Sequence, residues 1–372
     1  MAVSFTRFAK HTFIFFHVAA ALLFLLACYG PYLSPERWWF LSFLGLGFAI
    51  LLVVLIFFIF FWIVFGPRYM LISLVAMGLG WKAITSFITL RPLPDFVVQK
   101  QPDTLRVMHW NVARFLELRR NDNNKSRVRT RMLDIIKRQD ADVLCLQEFY
   151  HSTDPRYYDN LNYVQKELAY PYVYFTWMED GGKQWFGQAI FSRLPIVDTS
   201  KITFPKPGLP ETLLRADILF GGDTIRVMTT HLQSVQFKKE DYESLEEIKS
   251  REDSMLENSR SIFSKLKRAA VIRGDQAALV RAEMERSPHP VIITGDFNDV
   301  PNSHTYYTIG QDMQDAFLKK GFGIGRTYSG ISPTLRIDYI LASKSFEVVQ
   351  FQRIVRQLSD HYALVADLKM KK

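Results

Sequence analysis

Residues 290–303 read PVIITGDFNDVPNS. The run from Val291 to Thr294 is short, apolar and β-branched, which suits a buried strand. After Gly295 come an acid, an aromatic ring and an amide. In extended backbone, side chains two apart share a side. Asp296 and Asn298 are therefore expected to face one way and Phe297 the other, into the core. An acid that activates water, beside an amide that holds the attacked group, would need that arrangement.

Stretches of similar character recur on both sides: LRVMHWNV (105–112), ADVLCLQEF (141–149), GQAIFS (187–192), TLLRADILF (212–220), TIRVMTTHL (224–232), RIDYILA (336–342) and HYALVADLKM (361–370). Each has the length and composition of a strand. Gly221, Gly222 and Asp223 signal a hairpin turn between two of them. Residues 126–138 carry Val128, Met132, Ile135 and Ile136 at helical spacing, and the charge-dense stretch 236–286 reads as one or two solvated helices. Strands dominate, with helices outside them.

The polar residues at the strand ends carry the functional reading. Asn111 ends VMHWN, Glu148 ends VLCLQE, His231 ends RVMTTH, Asp338 lies in RIDYI, and Asp360 and His361 open the last strand. Singly, each is more simply a turn residue or a packed side chain. Together, such a cluster of carboxylates is costly unless a cation neutralises it. Oxygen donors favour a hard ion, so Glu148, Asp360 and Asp296 suggest Mg2+, with Mn2+ as a substitute. No Cys or His spacing suggests structural zinc. Arg215 in LLRAD is a weaker candidate for a phosphate contact. Arg193 in FSRLP reads as structural, GFGIGRTYSG (321–330) as a plain turn, and His109 and Trp110 as packing residues.

The first ninety residues have a different character. Thr12 to Ser34 and Trp38 to Pro67 hold no formal charge, and the second contains FAILLVVLIFFIFFWIVF. Both are long enough for the roughly 20 residues of a helical membrane span. A third span, from Tyr69 to about Leu90, is interrupted by Lys82, which can snorkel to the interface. The expected organisation is a membrane region at 1–90 (spans near 12–32, 38–65 and 69–90), a linker at 91–103 containing RPLP, and one domain at 104–372. Arg7 and Lys10 ahead of the first span place the N-terminus in the cytoplasm. Three spans put the domain outside the cytoplasm; two leave it inside. A cleaved signal peptide over residues 1–29 is the plainer alternative, disfavoured by the stronger span that follows.

The net charge of +9 in 372 residues is split, with +4 in the first ninety. What remains is a mild bias that does not by itself announce a nucleic-acid binder. Two cysteines, Cys28 and Cys145, exclude a disulfide scaffold.

In order and wording, HWNV, LQEF, THL, GDFND with Pro301 and Ser303 after it, RIDYI and SDHY resemble the signature blocks of the endonuclease/exonuclease/phosphatase superfamily, over residues 104–370. The resemblance implies an α/β fold: a DNase I-like four-layer αββα sandwich of two mostly antiparallel sheets with the site on one edge. It implies Glu148 as principal metal ligand, helped by Asn111 and Asp360. Asp296 would orient or deprotonate the attacking water, and Asn298 would hold phosphate and water. His361, oriented by Asp338, would polarise the phosphate or act as a base, and His231 would assist phosphate stabilisation or leaving-group protonation. Ala113 and Trp185 stand where the abasic-site endonuclease branch has an aspartate and a tyrosine. His231 resembles instead the DNase I, sphingomyelinase and phosphatase branches.

The expected activity is hydrolysis of phosphodiesters by a membrane-anchored, Mg2+-dependent phosphoesterase, acting as a nuclease, endo or exo, or on a lipid headgroup. Phosphomonoester hydrolysis and an inactive membrane protein that only binds are the alternatives. The expected partners are the bilayer and the phosphodiester itself, with no obligate protein partner evident.

Overall fold

The computed structural model describes residues 7–91, 95–116, 127–179, 181–205, 211–235 and 255–371. Part of the 91–103 linker and most of the first half of the 236–286 stretch lie outside these residues. Contacts divide the chain into two units, one of residues 1–88, 234–277 and 299–308, the other of residues 89–233, 278–298 and 309–372.

The second unit is built on strands. They are β1 (Thr104–Asn111), β2 (Val143–Ser152), β3 (Tyr172–Phe175), β4 (Met178–Glu179), β5 (Gln184–Ser192), β6 (Ile196–Thr203), β7 (Thr212–Phe220), β8 (Asp223–His231), β9 (Val291–Asp296), β10 (Met313–Asp315), β11 (Asp338–Ser343), β12 (Phe346–Ile354) and β13 (Ala363–Met370). One sheet runs β12-β13-β1-β2-β5-β3, with β4 paired to β5; the other runs β10-β11-β9-β8-β7-β6. Each has one parallel pair, β1 with β2 and β8 with β9, among antiparallel neighbours. The fold is thus α/β with two mixed sheets.

Strand alternation supplies the core. Leu105 and Val107 of β1 join Val143, Cys145 and Ile190, and meet Leu214, Ala216, Val227, Ile292 and Ile340 of the other sheet. Met108 and Trp110, on the opposite face of β1, pack with Met132, Leu133 and Ile136 of the helix Arg127–Gln139. That helix ends in Lys137 and Arg138, which suit the negative end of its dipole. The β7–β8 hairpin turns on Gly221 and Gly222, both at positive φ (63° and 96°), as a two-residue turn requires.

The first unit is helical: α1 (Arg7–Tyr29), α2 (Pro35–Leu46), α3 (Phe48–Phe65), α4 (Met70–Leu79) and α5 (Trp81–Phe87). Arg7–Tyr32 and Phe48–Phe65 are long and apolar enough to cross a membrane. The pair Pro67–Leu79 and Trp81–Phe87, bent by 68°, makes a third if it is one span. The charge-free stretch 38–65 is two helices, because the chain breaks at Gly47. Ser34 caps α2 by accepting from the Glu36 N–H at 3.3 Å. Phe13 stacks on Phe61, and Phe24 meets Phe48 at a tilt, so α1 and α3 are antiparallel. Between them the buried His17 accepts from Trp62 Nε1 (2.9 Å) and lies 2.6 Å from Ser73 Oγ, which donates to the Leu55 carbonyl.

The helix Met255–Glu285 belongs to the first unit through Ala277 and to the second from Ala278. It is not simply solvated as its charges suggest. Ala270, Arg273, Gln276, Ala277, Val280 and Met284 are buried along it.

Candidate active site

Topology gathers the polar strand ends. A parallel pair places the C-terminal ends of its strands side by side, and an antiparallel neighbour adds its N-terminal end. In one sheet His231, Asp296 and Asp338 therefore occupy a single ladder row. In the other, Asn111 ends β1, Glu148 lies in β2, and His361 stands just ahead of β13.

Asp296 is the hub. Its Oδ2 lies 3.2 Å from Asn111 Nδ2, 3.5 Å from His361 Nε2 and 3.6 Å from His231 Nε2. Asn111 Nδ2 also lies 3.4 Å from Glu148 Oε1, so one amide nitrogen separates two carboxylates. His361 Nδ1 donates to Asp338 Oδ2 at 2.9 Å. Burial pushes the Asp296 carboxyl above its ordinary range, against the pull of His361. Burial alone would lower His361, but the Asp338 and Asp296 carboxylates outweigh it and push the imidazole up to about 10. His231 is raised too, the carboxylates of Glu211, Asp296 and Glu148 overcoming burial.

Local backbone aims these groups. β2 carries one extra residue between Leu146 and Phe149 relative to β5, and Glu148 sits in this bulge at φ 51°. Gly295 is required by close approach, since a Cβ there would lie 2.4 Å from the Thr230 carbonyl oxygen of β8. Asn298 does not continue the strand: at φ 52° it turns back, and its N–H donates to Asp296 Oδ1 at 2.9 Å. The Asp296 carboxylate thus meets Asn298 at its backbone N–H, through a turn and not through strand alternation. Phe297 is buried against Tyr339, as its parity predicts.

Two expected residues are not among the groups that meet at Asp296, although the Asp360 carboxylate helps to raise His361. Asp360 is exposed, with its carboxylate 3.1 Å from Ser359 Oγ. Arg215 forms an ion pair with Asp198 on the neighbouring strand, three ladder positions from the row of His231.

Three other residues join the site. His109 Nε2 donates to Asp338 Oδ1 at 3.0 Å, so both oxygens of that carboxylate hold imidazole N–H groups. Read as packing, His109 nevertheless shares strand parity with Asn111, and that was the available signal. Glu211, buried, acts on His231 electrostatically. Ser359 Oγ donates to the Asn111 carbonyl (2.8 Å) and accepts from the His361 N–H (3.1 Å).

Asp296, Asp338 and His361 bring three possible ligand atoms within 4.8 Å of one another. Asp338 is a poor ion ligand, because each of its oxygens is taken by an imidazole. The Glu148 and Asp296 carboxylates, drawn together on one amide, are the pair whose mutual repulsion a cation would relieve. The donor set fits a hard divalent ion on that side.

Comparison with known proteins agrees with this geometry. A curated relative, the inositol phosphosphingolipids phospholipase C of Schizosaccharomyces pombe, is 27% identical over 237 residues, covering 59% of this chain and 47% of that protein. The chain therefore spans about half the length of this relative. The human nocturnin catalytic domain with bound sulfate has 18% identity and a TM-score of 0.52, over 74% of this chain and 97% of that one. D. rerio TDP2 humanized by 14 mutations has 19% identity and a TM-score of 0.50, over 72% and 100%. These two likenesses show the fold. Residues 10–87 match a domain of unknown function. Residues 108–361 match the model of the Endonuclease/Exonuclease/phosphatase family, and the chain belongs to that family of phosphoesterases.

Proposed function

We propose that the chain is a membrane-anchored, Mg2+-dependent phosphodiesterase that hydrolyses the headgroup phosphodiester of a bilayer lipid. The observation that carries the chemistry is the convergence of Asn111, His231 and His361 on Asp296 Oδ2 at 3.2 to 3.6 Å. A buried carboxyl with raised proton affinity is suited to take a proton from water. Asn298 spends its Nδ2 on the Leu232 carbonyl (2.9 Å), which leaves Oδ1 to accept from and orient that water. His361, held by Asp338 at Nδ1, presents Nε2–H as a donor to a phosphate oxygen. His231 supplies a second cationic donor and the proton for the departing alkoxide. Water oxygen bonds to phosphorus, the phosphorus–alcohol bond breaks, and the net proton passes from water to the alcohol.

Glu148 would hold the ion, with Asn111 beside it and Asp360 contributing from the exposed rim; Mn2+ would substitute. When bound, the ion neutralises phosphate charge and lowers the pKa of coordinated water. The lipid reading rests on two supports. Helices long and apolar enough to cross a membrane would, if they do so, keep the same chain among lipids at high effective concentration, and the S. pombe relative is named for a phosphosphingolipid.

The test is a substrate panel run on the full chain in detergent with Mg2+: an inositol phosphosphingolipid, sphingomyelin, phosphatidylinositol, duplex DNA and RNA, each beside Asp296→Ala. Release of a phosphorylated headgroup by the parent alone is expected. Turnover of DNA or RNA with no lipid hydrolysis would reassign the substrate to nucleic acid. Equal rates in parent and Asp296→Ala would end the hydrolase reading.

A further inference from the structure

The stretch GFGIGRTYSG (321–330) reads in sequence as a plain turn, yet its second half is bonded to the backbone on both sides of the His361–Asp338 pair. Asp338 is the first residue of β11, while His361 stands two residues ahead of β13, whose ladder begins at Ala363. The buried Thr327 reaches the one residue and the neighbour of the other. Its Oγ1 accepts from the Ile337 N–H (2.9 Å) and the Asp338 N–H (3.0 Å), and its carbonyl accepts from the Tyr362 N–H (2.8 Å). The Ser329 N–H donates to the Asp360 carbonyl at 2.7 Å, so the backbone on each side of His361 is bonded to residues 327–329. The Thr327 N–H donates in turn to the Leu335 carbonyl at 2.9 Å. Arg326 Nε donates to the Tyr328 carbonyl at 2.7 Å, and the same guanidinium holds the Ser329 carbonyl. The segment is thus stiffened by its own arginine.

We propose that Thr327 is a positioning residue for the His361–Asp338 pair. Its hydroxyl and its carbonyl tie the start of β11 in one sheet to the segment ahead of β13 in the other, and so set the separation of carboxylate and imidazole. The pair needs such a tie, because its members come from different sheets and no strand ladder runs between them. A hydroxyl oxygen has two lone pairs, and here both are filled by backbone N–H groups. Ile337 and Asp338 are buried, so loss of the hydroxyl deprives two buried donors of their acceptor, and the strand start has to move to find another. A movement of about 1 Å would stretch the 2.9 Å contact between His361 Nδ1 and Asp338 Oδ2 beyond hydrogen-bond range. Thr327 acts through the pair and not on the substrate. This inference rests on the proposed hydrolysis for its kinetic readout and on geometry alone for its structural one.

The experiment uses the full chain in detergent with Mg2+ and bis-p-nitrophenyl phosphate, a soluble diester that removes lipid access from the measurement. Thr327→Val keeps the shape and removes the acceptor, and Thr327→Ser keeps the acceptor. Thr334→Val makes the same change in the same connection, where the hydroxyl meets Ser332 Oγ at 2.9 Å. The expected result is a kcat at least ~10-fold lower in Thr327→Val, with KM within about twofold of the parent's, and near-parental kinetics in Thr327→Ser and Thr334→Val. In an Asp338→Asn background, where the pair is already disabled, Thr327→Val should cost less than about twofold more. A full ~10-fold loss there would overturn the proposal, since the hydroxyl would then act on something other than the pair. Parental kcat in Thr327→Val would overturn it as well. Amide exchange should quicken in Thr327→Val over both 336–339 and 360–363, and a change on neither side or on one alone would refute the tie between the sheets. Thr327→Ala takes the place of the valine variant if that does not fold. An inactive parent would remove the hydrolase reading, and exchange on the two sides would still decide the proposal.

Discussion

His361 Nδ1 and Asp338 Oδ2 lie 2.9 Å apart, both groups buried, the one just ahead of β13 and the other at the start of β11 in the other sheet. The contact fixes the imidazole tautomer, leaving Nε2 toward Asp296 at 3.5 Å. An amide at position 338 would keep the shape and present an N–H to the wrong ring nitrogen. Asp338→Asn should lower kcat on a soluble diester by ~10²–10⁴ with little change in KM. A kcat within twofold of the parent would show that His361 needs no orienting carboxylate.

His109 is the second donor to the same carboxylate, from a fully buried position. Its removal leaves Asp338 free to rotate away from His361. His109→Leu should cost about 10-fold in kcat, within the range for loss of a supporting partner. His109→Gln, which places an N–H near the original Nε2, should recover much of it. Indistinguishable rates for Leu and Gln would reduce His109 to a space-filling role.

The raised proton affinity of His361 has a sign that can be checked in chelated protein. A histidine whose folded pKa lies above its unfolded value stabilises the fold fully below about 6.5, and the contribution fades as pH rises through about 10. The melting temperature in EDTA should therefore fall more steeply from pH 7 to 10 in the parent than in His361→Asn. Parallel profiles would mean that His361 is not charged in the folded state.

The ion should be held mainly by Glu148. EDTA should abolish hydrolysis, and Mg2+ or Mn2+ should restore it. Glu148→Gln should raise the Mg2+ concentration for half-maximal activity by at least ~10-fold, whereas the exposed Asp360→Asn should raise it less. The reverse order, read from Mg2+ titrations, would move the ion to the other rim.

The helices also predict a topology. Lys10 lies 5.0 Å from the centroid of the Tyr69 ring, and the Tyr29 hydroxyl donates to the Leu79 carbonyl at 3.3 Å. The start of α1 thus adjoins the start of α4 and its end adjoins the end of α4, so the two run the same way with α3 returning between them. Arg7, Lys10 and Arg68 collect at one end, which the positive-inside rule assigns to the cytoplasm. With the bent pair Pro67–Leu79 and Trp81–Phe87 counted as one span, three passes would carry the chain after Phe87 to the far side. Alkaline phosphatase fused after Lys372 should be active and a green fluorescent fusion there dark. The opposite pattern would require an even number of passes.

The sequence could be read where function sits at the ends of apolar strands. Asn111, Glu148, His231 and Asp296 follow runs that must be buried and His361 precedes one, and pairing within each sheet aligns them. Edge strands were harder to see: β6, IVDTSKIT, is largely exposed and alternates weakly, so no apolar run announces it. Asn298 was placed by strand geometry although a side-chain hydrogen bond turns the backbone there. Glu211 was invisible because its influence on His231 depends on the pairing of β7 with β8. The break at Gly47 sits inside a uniformly apolar stretch, where composition carries no punctuation. A contact of the Asn302 carbonyl with Gly45 joins residues more than 250 positions apart and leaves no local pattern.

Glu148 and Asn298 both hold left-handed backbone that a residue with a side chain adopts at a cost of about 1–2 kcal/mol. Glycine would relieve that cost at either place and delete the working group. Selection for heat resistance alone would therefore drift toward inert proteins, and descendants that have abandoned the chemistry should be recognisable by glycine at these two positions.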